Sequence, residues 1–302
     1  MRFRLVESRD FVTCRALLHP ALGLSHRTLQ QLPAIWRKLA TFGTFSIVED
    51  PLKPYPACIE GFGASVFVDD GFVDEFLGQD RNQLDAALYE RIMRGTSPVL
   101  PPKQIAEANA GEGLNLVVLN FALRDYDLSN PVTQRVVQMG STAFYALHAG
   151  FRFKTILNEV FGTGAADYMK AGGFRLQKAS SNSLYLFALR RAWVQPGVID
   201  TLSSLFHPPA PQIGFSPSEQ RVLIHALLNQ SDAEIARRLG LSLDAVKKTW
   251  RRIYDRISTR FPYLVADERK PDGGRSSEKR RHVLEHVRAR PEEVRPTVRV
   301  RR

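Results

Sequence analysis

The segment 214–258 constrains this chain most, because it carries the start and stop signals of several short helices in succession. Residues 216–219 (Ser-Pro-Ser-Glu) supply an N-cap serine, a proline in the first turn and a glutamate three residues after the cap. Ser231 and Ser242 stand before two further stretches with helical apolar spacing, and Gly240 lies between them, where a left-handed residue ends a helix. The pattern predicts an all-α domain of four short helices, with a helix–turn–helix between the second and third.

The outer side of the third predicted helix is basic. Val246, Trp250 and Ile253 recur at the spacing of one buried face, which leaves the neighbouring lysines and arginines outside. In the major groove of double-stranded DNA, such residues near the helix start can read guanine, and later ones can contact phosphates. The alternative is an ordinary solvated basic face. The candidate DNA-binding residues are Ser231, Lys247, Lys248, Thr249, Arg251, Arg252 and Arg256.

Over residues 214–258 the sequence resembles the LuxR-type DNA-binding domain. The motifs that carry the resemblance are Ser-Pro-Ser-Glu at 216–219, Ser-Asp-Ala-Glu-Ile-Ala at 231–236, Leu-Gly-Leu-Ser at 239–242, Val-Lys at 246–247 and Arg-Ile at 252–253. Thr249 stands where that family commonly has His or Asn. The resemblance implies a bacterial-type transcription regulator that binds two half-sites of double-stranded DNA as a homodimer.

The distribution of charge agrees with a DNA-binding module at 214–265. The chain has a formal net charge of +11. Residues 214–302 hold 21 Lys and Arg against 12 Asp and Glu, whereas residues 1–213 hold 21 against 19. The positive field therefore belongs to the C-terminal part, as expected for a module that is attracted to a phosphate backbone.

Composition indicates a globular chain that is long enough for two domains. Hydrophobic residues make up 44% of the 302 residues and charged residues 24%. No apolar run is long enough for a transmembrane helix, and the first residues lack the features of a signal peptide. Cys14 and Cys58 lie in apolar surroundings and without metal-ligand spacing, so we expect a cytoplasmic protein without a metal site or membrane partner.

Residues 1–193 are predicted to form a separate α/β (or α+β) domain. Apolar residues alternate between 59 and 69, which favours a strand, and the apolar run 114–123 favours a buried strand. Further strands are expected at 3–6, 45–49 and 183–190, and helices at 11–18, 25–41, 72–77, 84–94 and 165–171. A long helical region is expected at 132–161, either continuous or broken near Gly150. The proline-rich segment 194–213 is expected to be a linker, and 266–302 a basic tail with a short helix.

This order of elements is similar to the GNAT acetyltransferase fold. In that family the central strand is followed by an Arg/Gln-x-x-Gly-x-Gly/Ala turn, whose backbone N–H groups hold the pyrophosphate of coenzyme A. Here residues 124–131 (Arg-Asp-Tyr-Asp-Leu-Ser-Asn-Pro) contain no glycine, which predicts lost or altered coenzyme A binding. A PAS-, GAF- or autoinducer-type sensor domain explains the same strands.

Other candidate sites are weak. Asp69 and Asp70 follow a strand as in a phosphoreceiver, but the first strand lacks the acidic pair that such a domain needs. His148 is expected to be a helix-surface or core residue rather than a base. A group of aromatic residues could line a ligand pocket, although aromatic residues at helical spacing are usually core. This group is Trp36, Tyr145, Phe151 and Phe153.

The main prediction is a sequence-specific DNA-binding transcription regulator that is controlled by its N-terminal domain. It has no predicted catalytic residue or cofactor and is not expected to be an enzyme. A small-molecule effector or a protein partner is expected at the N-terminal domain. Two alternatives remain open: an acetyltransferase-like enzyme fused to a DNA-binding module, and a sigma-like initiation factor with the same helix–turn–helix pattern.

Overall fold

The chain forms two compact units. The computed structural model describes residues 1–78, 83–180, 182–195, 201–264 and 275–296. The first unit comprises residues 1–148 and 152–206, and the second comprises 149–151 and 207–302. The predicted linker 194–213 thus differs from the observed division, because a short helix at Thr201–Phe206 belongs to the first unit.

The first unit is built on a seven-stranded sheet with the order β1-β2-β3-β4-β5-β7-β6. Neighbouring strands are antiparallel except β4 and β5, which are parallel. The strands are β1 Arg2–Leu5, β2 Thr44–Glu49, β3 Ile59–Val68, β4 Leu114–Leu123, β5 Phe153–Phe161, β6 Arg175–Ala179 and β7 Leu184–Arg190. The buried strand expected at 114–123 is β4, and the strands expected near 45–49, 59–69 and 183–190 are also present.

Eight helices are seen in the described part of the first unit. They are α1 Asp10–Ala16, α2 His26–Leu39, α3 Asp70–Gly78, α4 Leu84–Met93, α5 Pro102–Ala110, α6 Pro131–His148, α7 Thr163–Ala171 and α8 Thr201–Phe206. Side chains of α1 to α4 join one buried cluster with β2 and β3. Ile47 belongs to that cluster, whereas its neighbour Val48 packs with Val136 of α6. Since successive strand side chains point to opposite faces, α6 covers the other face of the sheet.

The long helical region predicted at 132–161 is wrong in its second half. The helix α6 ends at His148, Gly150 has a φ of +86°, and Phe153–Phe161 is the strand β5. Apolar residues at this spacing suit either a buried helix or a buried strand, and pairing with β4 and β7 decides the outcome. The short strand β6, which the sequence analysis missed, has exposed and half-buried residues at the sheet edge.

The second unit contains α9 Pro217–Leu227, α10 Asp232–Leu239, α11 Leu243–Arg260 and α12 Arg275–Ala289. Complete capping boxes begin α9 and α10, and Gly240 ends α10 with a φ of +64°. Segment 214–258 therefore holds three helices rather than the four predicted, because no breaker separates Trp250 from the residues that follow it.

The helix α12, in the predicted basic tail, packs on the same core as α9 to α11. Val283 and Val287 are fully buried in that cluster. The guanidinium of Arg280 lies 4.5 Å from the centre of the Trp250 ring and 2.7 Å from Asp232 Oδ1. This part of the tail is a structural element of the second unit. The tail residues 266–274 and 297–302 lie outside the described residues.

A buried chain of polar side chains links α2, α4 and β4 and generates the first prediction. Trp36 Nε1 donates to Tyr89 Oη at 2.8 Å, and Tyr89 Oη donates to Asn120 Oδ1 at 3.1 Å. Tyr89→Phe removes both bonds and leaves a buried donor and acceptor unpaired. We expect it to lower the unfolding free energy of the first unit by about 1–3 kcal/mol in chemical denaturation.

The matched control is Tyr55→Phe, which removes one exposed hydrogen bond to Arg9 O. We expect a loss of less than about 0.5 kcal/mol for this surface change. Equal losses in the two variants would show that the buried chain does not stabilise the fold.

Candidate functional site

The parallel strands β4 and β5 separate before either one ends. Their pairing runs from Leu114 opposite Phe153 to Val118 opposite Asn158. Beyond this point β4 stays paired with β3 and β5 stays paired with β7. The inner edges of 119–123 and 159–161 are therefore not bonded to each other. We call this opening the strand gap.

A bulge in β4 lies at the start of the strand gap. Ala64 of β3 is opposite Asn120, and Ser65 is opposite Val118, so Leu119 is the extra residue. A bulge bends its strand and increases the local twist, which turns the end of β4 away from β5. The same bulge places Leu119 and Asn120 on the sheet face that carries α2 and α4.

The strand gap opens into a cavity of about 770 Å³ within the first unit. This volume is in the range of sites that bind small molecules. Most of the lining is apolar and comes from β4, β5, α6 and α7. Apolar lining residues near the gap are Val118, Leu119, Phe121, Val160, Phe161 and Met169.

A single helix, α4, holds the polar side chains on both edges of the strand gap. On the β5 side, Glu159 accepts hydrogen bonds from the backbone N–H groups of Gln83 and Leu84, at 2.8 and 2.9 Å. On the β4 side, Asn120 Nδ2 donates to Asp85 Oδ2 at 2.5 Å. Both Asn120 and Glu159 line the cavity.

Burial raises the pKa values of two carboxyl groups at the strand gap. Desolvation raises the pKa of Glu159, although the two backbone donors act in the opposite direction. Desolvation also holds the pKa of Asp85 well above its ordinary value, and the nearby charge of Glu159 adds to the effect. An acid with a raised pKa in a closed site can exchange protons with a bound reactant near neutral pH.

The face that carries α6 contributes a serine–histidine pair to the cavity lining. His148 Nδ1 lies 2.8 Å from the carbonyl oxygen of Phe144, which can only accept, so Nδ1 carries the hydrogen. In the neutral ring Nε2 is then an acceptor, and Ser65 Oγ, at 2.7 Å, donates to it. His148 is buried, as expected for a core residue, but it also lines the cavity.

Tyr168 of α7 brings an exposed hydroxyl to the site, with 51% of its surface accessible. Its Oη lies 2.7 Å from Ser141 Oγ. Since Ser141 donates its one hydrogen to Val137 O, Tyr168 is the donor in this pair. The single phenolic hydrogen can be redirected to a ligand at the cavity lining only when the hydroxyl turns away from Ser141.

Aromatic rings form another part of the cavity lining. The His19 ring stacks on Phe161 with 3.9 Å between centroids, and Tyr126 meets its other side edge-on. His19 Nδ1 accepts from Ala21 N–H, which fixes Nε2 as the protonated nitrogen of the neutral ring. Desolvation lowers the pKa of His19, so the ring is neutral at pH 7.

The loop between β4 and α6, residues 124–130, uses its own side chains to pair several backbone N–H groups. The N–H of Asp127 donates to Asp125 Oδ1 at 2.9 Å, and the N–H of Ser129 donates to Asp127 Oδ1 at 2.9 Å. The N–H of Val132, in the first turn of α6, donates to Asn130 Oδ1 at 2.9 Å. These three N–H groups are thus already paired within the glycine-free loop and its junction with α6.

The candidate DNA-binding residues of the second unit fall into two groups. Five are exposed, and four of these lie on α11, between the buried residues Val246, Trp250 and Ile253. Lys248 forms an exposed ion pair with Asp244, and Ser231 caps α10. The exposed candidates are Ser231, Lys247, Lys248, Arg251 and Arg252.

Two of the candidate DNA-binding residues are differently placed. Thr249 is 6% exposed, and its hydroxyl donates to Ala245 O at 2.9 Å, which disfavours its predicted contact with DNA. It follows Lys248 on α11 by one residue and faces the core. Arg256 is half-buried and pairs with the buried carboxylate of Glu219, at 2.9 Å, so that its charge is already matched.

The sequence analysis missed the polar residues of the strand gap. Asn120 and Glu159 are polar residues near the ends of strands that are otherwise largely apolar, which is the signal that could have identified them. Among the four aromatic candidates for a pocket, only Tyr145 lines the cavity. Asp69 accepts from the N–H of Phe72 at the start of α3, and Asp70 pairs with Lys154.

Two further properties concern the described residues only. No helix among them combines the length and apolar character that crossing a membrane requires. In the same part of the chain, no group of three or more His, Cys, Asp and Glu side chains is placed to hold a metal ion. Cys14 and Cys58 are free and buried.

No protein-family model matches the sequence, and a comparison with curated proteins finds no match. Solved structures do match. One is Arabidopsis thaliana NAA60 in complex with acetyl-CoA, with a TM-score of 0.37 and 12% identity, over 62% of this chain and 97% of that chain. Another is an acetyltransferase from Thermus thermophilus, with a TM-score of 0.34 and 11% identity, over 63% and 97%. A third is FeeM, an N-acyl amino acid synthase from uncultured soil microbes, with a TM-score of 0.34 and 11% identity, over 64% and 97%.

The matches include acetyltransferases, the family to whose fold the order of elements in the N-terminal part was expected to be similar. The matched structures are acetyltransferases and an acyl amino acid synthase, which stands against the expectation that the chain is not an enzyme. At TM-scores below 0.5 this likeness carries no argument about the fold or the activity of the chain. The LuxR-type domain, double-stranded DNA as partner and the homodimer stay predictions.

The buried acids generate a prediction about pH. Because the pKa of Asp85 is higher in the folded than in the unfolded chain, the folded state keeps its proton longer. Its stabilising contribution is complete below about pH 4 and is lost as pH rises towards the raised pKa. Asp85→Asn keeps an acceptor for Asn120 and removes the proton. We expect it to flatten the pH dependence of unfolding free energy by up to about 1.4 kcal/mol per pH unit.

The measurement is urea unfolding of the first-unit transition from pH 5 to pH 8. Asp74→Asn, an exposed change on α3, is the matched control and should keep the slope of the unaltered protein. An unchanged slope in Asp85→Asn would show that Asp85 does not hold its proton in the folded state.

Proposed function

We propose that the first unit is an acyltransferase that uses an acyl thioester and is joined to a helix–turn–helix DNA-binding unit. The observation that carries this proposal is the strand gap, which opens into an apolar cavity beside a buried carboxyl group with a raised pKa. This combination offers a place for an extended amide-containing chain, a place for an apolar acyl group and a proton acceptor.

The strand gap suits a pantetheine-type arm. The inner edge of β4 beyond Val118 presents backbone N–H and C=O groups that β5 does not use. An extended ligand with amide groups can pair with such an edge as an additional strand does. The apolar side chains of the cavity then surround the acyl group and exclude water from the thioester.

The polar side chains of the site can carry the proton transfers. In the proposed reaction an amine nitrogen attacks the thioester carbonyl carbon, and the carbon–sulfur bond breaks. Glu159 accepts the proton that the attacking nitrogen loses, and Tyr168 donates its phenolic proton to the leaving sulfur. The raised pKa of Glu159 suits the first role, and the exposed hydroxyl of Tyr168 suits the second.

The proposal is tested by thiol release from S-octanoyl-pantetheine in the presence of a panel of primary amines, with the full-length protein. Val160→Trp fills the gap from β5, and we expect it to reduce both thioester binding and thiol release by at least about tenfold. Glu159→Gln should leave binding within about twofold and reduce turnover about 10²–10⁴-fold, because it removes the proton acceptor.

Val12→Trp is the control for added bulk, since Val12 is exposed on α1. It should bind and react like the unaltered protein. Absence of thioester binding by the unaltered protein, measured by calorimetry, would contradict the proposed function.

The second unit is proposed to bind double-stranded DNA, as the sequence predicts. What favours this is the basic face of α11, where Lys247, Lys248, Arg251 and Arg252 are exposed while their neighbours are buried. The capped start of α11 and the turn at Gly240 keep this face on a rigid helix. Arginine and lysine on such a helix can contact phosphates and base edges in the major groove. A homodimer would match two half-sites.

Binding to a random-sequence duplex tests this part of the proposal. We expect the double variant Lys247→Ala, Arg251→Ala to bind more weakly. The slope of log affinity against log salt should fall by about 1 for each phosphate that the variant no longer neutralises. Arg221→Ala, an exposed change on α9, is the control and should keep the slope. Identical affinities and slopes for all three proteins would contradict DNA binding through α11.

A further inference from the structure

The loop between β4 and α6 differs from an anion-binding loop in the use of its backbone. Side-chain oxygens of the loop already accept hydrogen bonds from three backbone N–H groups at or just before the start of α6. These are the N–H groups of Asp127, Ser129 and Val132. The N–H of Asn130 donates to Asp127 O. A diphosphate would need these donors and would have to displace the bonds that use them.

The charge of the loop also opposes a diphosphate. Asp125 and Asp127 are both exposed. Asp125 accepts from Asp127 N–H, from Asn130 Nδ2 and from Thr133 Oγ1, and these donors lower its pKa and favour the ionised form. Two carboxylates at the start of α6 therefore occupy the place where the helix N-terminus would otherwise favour a bound anion.

The cations near the loop do not reverse this charge. The guanidinium of Arg124 donates to the carbonyl oxygen of Ile59 at 2.6 and 3.0 Å and lies 3.6 Å from the buried carboxylate of Glu60. Arg135, on the next turn of α6, is exposed and lies 3.5 Å from Pro131 O. Both arginines are exposed, but Arg124 is engaged by Ile59 O and by Glu60, a carboxylate that also pairs with Lys53, which leaves Arg135 beside the two exposed aspartates.

We infer that the acyl donor of the first unit is a pantetheine thioester that carries no diphosphate at this loop. The inference rests on the proposed acyltransferase function and names its donor class. The strand gap and the cavity bind the pantetheine arm and the acyl group, while the self-capped acidic loop disfavours the nucleotide end of coenzyme A. A free acyl-pantetheine and an acyl-pantetheine arm on a carrier protein share the required chemistry.

The experiment compares the binding of S-octanoyl-pantetheine and octanoyl-coenzyme A to the full-length protein by calorimetry. We expect S-octanoyl-pantetheine to bind at least about tenfold more tightly, because each carboxylate–phosphate repulsion at about 4 Å is worth about fivefold in affinity. Octanoylated acyl carrier protein is the third ligand. Tighter binding of this ligand than of S-octanoyl-pantetheine identifies the carrier-borne arm as the source, and weaker binding identifies the free thioester.

A charge variant separates the loop from the rest of the site. Asp127→Asn keeps an acceptor oxygen for Ser129 and removes one negative charge. We expect it to improve octanoyl-coenzyme A binding about fivefold and to leave S-octanoyl-pantetheine binding unchanged. The control Glu90→Gln removes an exposed charge from α4 and should change neither affinity.

The outcomes distinguish this inference from the proposed function. Octanoyl-coenzyme A binding as tightly as S-octanoyl-pantetheine overturns the donor class but leaves acyl transfer in place. An unchanged preference in Asp127→Asn overturns the role of the loop charge. If none of the three thioesters binds, the proposed function itself fails, and the donor class fails with it.

Discussion

The end of pairing between β4 and β5 is the constraint on which the rest of the first unit depends. Each strand remains bonded to its outer neighbour, up to Leu123 on β4 and Phe161 on β5. The sheet itself therefore holds the strand gap open, without a loop or lid. Leu119, the extra residue of the bulge, supplies the bend that separates the strands. The positions of the cavity, of the buried acids Asp85 and Glu159 and of the loop 124–130 all depend on this separation.

The helix α4 makes the strand gap compatible with a stable fold. Its first backbone N–H groups bind Glu159 of β5, while its side chains Asp85 and Tyr89 bind Asn120 of β4. Polar residues at the inner edges of two buried strands would otherwise lack partners and cost stability. One helix thus pairs both edges, and the same contacts hold the carboxyl groups in a place where burial raises their pKa values.

Much of this architecture can be predicted from the sequence, and the failures have physical causes. Caps and apolar spacing predict the starts of α9, α10 and α11, because those signals are local. The strand β5 was missed because its apolar run suits helix and strand equally, and only its pairing with β4 and β7 decides. Asn120 and Glu159 come together only through α4, which no local pattern reveals. The missing glycine near Asp127 is visible in the sequence, but the self-capping of the loop is not.

The acidic residues in the loop before α6 pair backbone N–H groups but also add negative charge. A loop that holds an anion through its backbone leaves N–H groups unpaired when the anion is absent, whereas Asp125 and Asp127 pair them permanently. The same carboxylates place negative charge where a diphosphate would bind. In the proposed reaction this charge bears on affinity for the far end of a donor and not on the reacting carbonyl, which is proposed to bind in the cavity beside Glu159. In the proposed reaction, contacts remote from the reacting atoms determine which donor binds. The groups at the strand gap determine how the bound donor reacts. The donor class can therefore change while the reacting end of the site stays the same.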